Sequence, residues 1–276
     1  MPKRSVQLML AENQEAKKIL AELGALLGTA QPETSASSKR KGSMTFTATK
    51  TVRELVVEVP NATRVFEKLG IDYCCGGDRP LEEACASANV AIDDVLRALE
   101  QGDTSAPSAN RDWNTAPLGE LVDHIVNKHH AYVKNEVPRL KTLIAKVVGV
   151  HGQNHPELEQ VQVAFSELAN ELAGHLVKEE QILFPYVKQM AGGAGCGPSC
   201  FGTVRNPIRV MMMEHDDAGD KLREMRRITS DYSIPADACT SYATLFRALV
   251  EFEQDLHQHI HLENNILFPR AAAMER

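Results

Sequence analysis

From about residue 116 onward, apolar residues recur every three or four positions through four long stretches, 116–148, 157–190, 206–230 and 237–272. That period marks helices that bury one face. The connections carry the breakers: Gly149 to Pro156, the run AGGAGCGPSCFG, and Ser233-Ile234-Pro235. Pro138, Pro185 and Pro269 fall inside or near the ends of these stretches and are expected to kink or end them, because proline lacks the N–H of the helical ladder. Period-two alternation is scarce throughout. The pattern predicts an all-α chain ending in an antiparallel four-helix bundle over 116–276.

Upstream the periods are shorter. Residues 5–28 read as an amphipathic helix, and the small, polar and basic composition of 29–45 reads as linker, so 1–45 is an extension rather than part of a core. Residues 46–100 read as a unit of short helices. NATRVFEKLG has Asn61 placed to cap and Gly70 to terminate, and Pro80 can open a helix after the loop IDYCCGGD. A second linker covers 101–115.

Within the bundle a motif is repeated. Residues 175–185 read HLVKEEQILFP and residues 259–269 read HIHLENNILFP. Each copy sets a His four residues before a Glu, His175/Glu179 and His259/Glu263, which places imidazole and carboxylate on one helical face. Two such helices supply much of the shell of a dinuclear metal centre. On the third helix His215 shares a stripe with Met211, Met212, Gly219 and Leu222. On the first, His124 falls off the apolar face, while His129 and His130 both fit a core stripe and helical phase does not choose between them. The tally is one inward His from each of four helices and a Glu from each of two. Burying such a set without metal would cost about several kcal/mol per unpaired group. Nitrogen and oxygen ligands of this kind suit iron, with manganese or zinc as alternatives. The Ile-Leu-Phe of each copy reads as packing below the site. His257 and His261 read as surface or outer positions, and His151 and His155 as solvated loop residues.

The six cysteines do not form a disulfide framework in a chain of 276 residues. Cys74 and Cys75 sit beside two glycines in a helix-to-helix turn. They read either as a thiol pair for redox exchange or transient metal contact, or as a structural loop. Cys85 reads as core, Cys196 and Cys200 as a weak loop pair, and Cys239 has no partner in the sequence. A net charge of −7 argues against nucleic-acid or anionic-membrane binding, and Lys39-Arg40-Lys41 reads as a solvated face. No apolar run approaches a membrane span and no secretory signal is read, so the expected compartment is the cytoplasm.

FEKLGIDYCCGG, HLVKEEQILFP, MEHDDAG and HIHLENNILFP, in that order, carry a resemblance. From about Met44 the chain resembles the di-iron proteins of iron–sulfur cluster repair, the RIC or YtfE/ScdA type, with an ScdA-type domain before a hemerythrin-like bundle. The resemblance implies two non-haem iron ions, oxo- and carboxylate-bridged, held by His130, His175, Glu179, His215, His259 and Glu263. It therefore selects His130 over His129. It also implies a role under nitrosative and oxidative stress, with damaged iron–sulfur proteins as partners and nitric oxide or O2 as small ligands. Cys74 and Cys75 match the family's vicinal cysteines. Residues 1–43 precede the family's usual start, and the Cys196/Cys200 loop is longer than its usual connection. The first functional expectation is a repair protein acting as iron donor or redox centre. The rivals are a nitric oxide or peroxide reductase and an oxygen- or nitric-oxide-binding module. A homodimer is left open.

Overall fold

The computed structural model describes residues 50–59, 61–101, 111–193 and 201–275. The expected helix over 5–28, the linker over 29–45, and Cys196 and Cys200 lie outside the described residues. All the described residues belong to one compact unit, Phe46–Arg276.

Four short helices come first: α1 (Val52–Glu58), α2 (Ala62–Lys68), α3 (Leu81–Ser87) and α4 (Ile92–Gln101). Thr51 opens α1 with a reciprocal capping box to Glu54. Asn61 stands at the N-cap of α2, but its side chain makes no cap hydrogen bond there. Gly70 ends α2 at φ +67, a conformation a side chain disfavours. Leu55, Phe66, Leu81 and Val95 close a small core that is continuous with that of the bundle.

The bundle follows. Its first helix is α5 (Leu118–His124), the π turn π1 (Ile125–His130) and α6 (Ala131–His151) in unbroken succession. The second is α7 (Glu157–Lys178), π2 (Glu179–Leu183) and α8 (Phe184–Ala191). The third is α9 (Arg205–Ile228), and the fourth is α10 (Thr240–His261), π3 (Leu262–Leu267) and α11 (Phe268–Met274). The start of the first helix packs on the end of the second, the antiparallel relation that the short connections impose. Among the described residues no strand forms, and no helix is long and apolar enough to cross a membrane.

Pro138, Pro185 and Pro269 do not end their helices. Helix α6 runs through Pro138. Pro185 and Pro269 are each the second residue after a π turn, and neither ends its helix. In both turns the backbone widens: the N–H of Phe184 donates to the carbonyl of Glu179, and that of Phe268 to the carbonyl of Glu263, five residues back. A wider turn accommodates a residue that cannot donate to the carbonyl four back, so the helix is re-phased rather than broken.

Two apolar clusters fill the bundle, one including Leu140, Phe165, Leu222 and Phe252, the other Leu121, Val187, Met211 and Leu267. The layer between them is polar.

Candidate metal centre

That polar layer brings the six residues singled out from the sequence together. His130, Glu179, His259 and Glu263 form one set, and His175, Glu179, His215 and Glu263 the other; within each set the ligand atoms lie within 4.8 Å of one another. Both carboxylates belong to both sets. All six residues are buried, with Glu179 and Glu263 at 0 % exposure. His129 is also buried, but it turns its Nδ1 to Asp255 at 3.0 Å and belongs to neither set.

The donor set fits a pair of cations and satisfies itself poorly without them. Among the described residues, both buried carboxylate oxygens of Glu179 and Oε2 of Glu263 lack a well-formed hydrogen bond, although they face His130 at 3.3 Å, His175 at 3.4 Å and His215 at 3.1 Å. The Nε2 atoms of His130 and His259 face each other at 3.1 Å, and those of His215 and His175 at 3.0 Å. Native interiors rarely leave such groups unpaired. Burial alone would push the His130 imidazole down, yet Glu179 and Glu263 outweigh it and hold the ring up at about 10. His175 rises to about 9 against the same burial, chiefly through Glu179. Burial would raise the two carboxylates; the surrounding imidazoles instead hold both below the usual carboxylate range. A field that draws protons onto these nitrogens draws cations into the same space.

Three of the four rings are held from behind. Nδ1 of His130 lies 2.8 Å from Glu180 Oε1, and Lys134 holds that carboxylate in turn. Nδ1 of His175 lies 2.9 Å from Glu214 Oε2, whose other oxygen is bound by Lys178. A carboxylate only accepts, so in both cases Nδ1 carries the proton and Nε2 offers its lone pair inward. His215 differs, donating from Nδ1 to Asn264 Oδ1 at 2.9 Å. The Asn264 amide is fixed in that sense because its Nδ2 donates to the carbonyl of Cys74. Among the described residues His259 Nδ1 has no hydrogen-bond partner, and the parallel ring of His129 lies 5.8 Å away. The repeat phenylalanines also act here: Phe184 stacks on His130 and Phe268 on His215.

Glu180, Glu214 and Asn264 were not foreseen. Each is the immediate chain neighbour of a ligand candidate, and on a helix that neighbour points about 100° away, toward the next helix's ring. The ILFP reading needs one correction: Leu183, Phe184, Ile266, Leu267 and Phe268 are core, but Ile182 is 48 % exposed. His261 is not at the surface; it is buried and its Nδ1 contacts Asn265 Nδ2. His151 ends α6 rather than lying in a loop, and its Nε2 is 3.1 Å from Cys239 Sγ, the partner the sequence did not reveal.

The cysteine loop docks directly on this centre. Asp72 Oδ1 accepts from the backbone N–H groups of Cys74, Cys75 and Gly76, which fixes the turn. Asn264 and the next residue, Asn265, donate to the successive carbonyls of Cys74 and Tyr73. Arg53 donates to Asn265 Oδ1, and Cys75 Sγ lies 3.4 Å from the backbone oxygen of His215. Cys74 is buried, Cys75 is half-buried, and both are free thiols. The neighbouring Cys75 and burial push the Cys74 thiol well up.

Comparison with known proteins agrees with this architecture. Residues 121–271 match the hemerythrin HHE cation binding domain, and residues 48–103 match ScdA_N, a domain of unknown function. A probable iron-sulfur cluster repair protein of Haemophilus influenzae is 38 % identical over 218 residues, covering 79 % of this chain and 94 % of that protein. The iron-sulfur cluster repair protein YtfE of an Enterobacter species is 38 % identical over 222 residues, covering 80 % of this chain and 96 % of its own. YtfE of Citrobacter koseri is 37 % identical over the same length. With both domains matched in order and nearly the whole of these relatives covered, the chain belongs to the YtfE-type family of iron–sulfur cluster repair proteins.

Proposed function

We propose that this chain restores iron–sulfur clusters damaged by nitrosative or oxidative stress, with two iron ions in the bundle serving as iron donor or redox centre. The observation that carries the reading is the pair of interlocking ligand sets sharing both Glu179 and Glu263. His130 and His259 would hold one ion, His175 and His215 the other, and the two carboxylates would bridge them. When bound, the iron pair supplies exchangeable iron and redox chemistry. The residues around it supply the rest. Glu180, Glu214 and Asn264 keep three Nε2 lone pairs inward, Phe184 and Phe268 hold two rings in plane, and the apolar clusters on either side limit water. Cys74 and Cys75 would contact the damaged client or its cluster.

The test incubates the iron-loaded chain with a cluster enzyme damaged by nitric oxide, and follows both recovered client activity and iron leaving the bundle. Recovery with iron transfer supports the reading; iron that stays put while the client remains inactive overturns it. In the same assay, Cys74→Ser with Cys75→Ser should leave the bundle iron in place and weaken repair. Undiminished repair by that variant would remove the thiols from the function.

A second reading, reduction of nitric oxide or peroxide, draws on one feature. A cavity of about 20 Å3 adjoins His175, His215 and His259 and is walled by Leu172, Ala218, Leu256 and Ile260. That is room for about one water-sized molecule. Turnover of nitric oxide with no client present would favour it.

A further inference from the structure

Among the described residues outside the bundle centre, one more cluster has the makings of a cation site. The Sγ atoms of Cys74 and Cys75 are 3.8 Å apart, and together with an Asp72 carboxylate oxygen their ligand atoms all lie within 4.8 Å. The sulfur separation is informative. It is far too long for a disulfide, and two thiolates at about 2.3 Å from a tetrahedral ion would stand about 3.75 Å apart. The loop therefore presets the bite of a chelate, and it does so with backbone bonds. Asp72 Oδ1 accepts from the three N–H groups of the turn and from the Cys74 thiol at 3.5 Å, and Oδ2 accepts from Arg223, so the carboxylate is fixed beside both sulfurs. Two glycines keep the space clear. A Cβ on Gly76 would stand 3.1 Å from the Asp72 carbonyl oxygen, and one on Gly219 would stand 3.4 Å from Cys75 Sγ. Charge is matched as well. Arg223 lies 3.4 Å from Asp72 Oδ2, so two thiolates, one carboxylate and one guanidinium sum to −2, the complement of a divalent ion. Cys75 and Asp72 are both partly exposed, so the site can be reached from solvent.

We propose that Cys74, Cys75 and Asp72 form a separate site for a thiophilic divalent cation, ferrous iron or zinc, docked against the bundle centre. Binding releases the two thiol protons to solvent and forms two metal–sulfur bonds; nothing is oxidised or reduced. The docking is specific. Asn264 joins the Cys74 carbonyl to Nδ1 of His215, and Cys75 Sγ rests on the His215 backbone oxygen. The thiol site and the His/Glu site therefore share one amide between them. The proposal rests on the repair reading for its purpose, since a mobile ion bound by thiolates is what a damaged cluster would receive, but its chemistry stands without that reading.

The test titrates the iron-loaded full chain with Co2+ in the absence of thiol reductants and records the thiolate-to-cobalt charge-transfer band. One further equivalent of Co2+ should bind with that band, and the bound ion should slow alkylation of Cys75 in the unaltered chain. Cys75→Ser should weaken binding by more than about tenfold, since even an outer-sphere loss costs a metal site that much. Cys239→Ser, and Cys196→Ser with Cys200→Ser, should keep the band. Absence of the band in the unaltered chain, an undiminished Co2+ affinity in Cys75→Ser, or loss of the band in the Cys196/Cys200 variant would each overturn the proposal. Glu179→Ala separates the two readings. It should lose bundle iron and keep the cobalt–thiolate band; full iron in that variant would count against the bundle assignment alone.

Discussion

The two copies of the repeat share a sequence pattern and meet different surroundings. In the first copy, Glu180 after Glu179 is partly exposed and pairs with Lys134, and Gln181 and Ile182 are exposed. In the second, Asn264, Asn265 and Ile266 occupy the same offsets from Glu263 and are buried; the two amides bond the cysteine loop of the small domain, while Ile266 packs in the bundle cluster of Leu121 and Met211. The offsets before the Glu differ in the same way, with Val177 50 % exposed and His261 buried. Support of the facing ring is nonetheless alike. Glu180 and Phe184 hold His130, while Asn264 and Phe268 hold His215. The exchange of carboxylate for amide follows from the neighbour. Glu180 meets an ammonium, which a carboxylate suits. Asn264 meets the Cys74 carbonyl, against which a carboxylate would set two acceptors and which an amide N–H satisfies. The same correspondence extends one residue further, pairing His129 before His130 with Glu214 before His215. Each sits behind the ring on the adjacent helix.

The largest effect should fall on both copies equally. Glu179→Ala and Glu263→Ala each remove a carboxylate common to both ligand sets, so both variants should lose most of the iron and its absorption. Unchanged iron content in either variant would break the shared-bridge assignment. The next effect should divide the copies. Ile266→Ala should cost about 2–5 kcal/mol in denaturant unfolding of the metal-free chain, the range for truncating a buried isoleucine. Ile182→Ala, at an exposed site, should stay within about 0.5 kcal/mol. Equal losses would break the distinction between the exposed offset of the first copy and the buried offset of the second.

Gly77→Ala sharpens the docking side of the comparison. Its Cβ would stand 2.8 Å from Asn265 Oδ1, so the variant should lose about 1–3 kcal/mol of stability and speed alkylation of Cys75. An unchanged alkylation rate would argue against the docked loop. Asn264→Ala and Glu180→Ala should each lower iron affinity about 10–100-fold, the usual cost of losing the group behind a ligand imidazole. Only Asn264→Ala should also expose Cys75, and faster alkylation in Glu180→Ala would erase the distinction. The smallest effect is expected at the first helix. His129→Ala should keep its iron where His130→Ala loses it, as measured by metal content.

Much of this was legible in the chain because helical periodicity and motif spacing are local. The four bundle stretches, the paired His and Glu of the repeat and the inward His215 all follow from counting residues along a helix. The choice between His129 and His130 did not follow, for a physical reason. A π turn over Ile125–His130 widens the helix and brings both rings inside, so a phase computed at 3.6 residues per turn no longer applies there. Pro185 and Pro269 do not end their helices for the same reason, since each follows a π turn.

What the sequence by itself determined is the all-α class, the helical segments and the chemistry of the ligand candidates, because each depends on neighbours a few residues away. Only the tertiary structure decided which groups stand behind the rings, that Asn264 and Asn265 hold the cysteine loop, and that His151 meets Cys239. Those contacts join residues separated by 39 positions in His175–Glu214 and by up to 192 in Asn265–Tyr73. No local period encodes such pairs; packing the bundle helices against one another, and the small domain against the fourth helix, creates them.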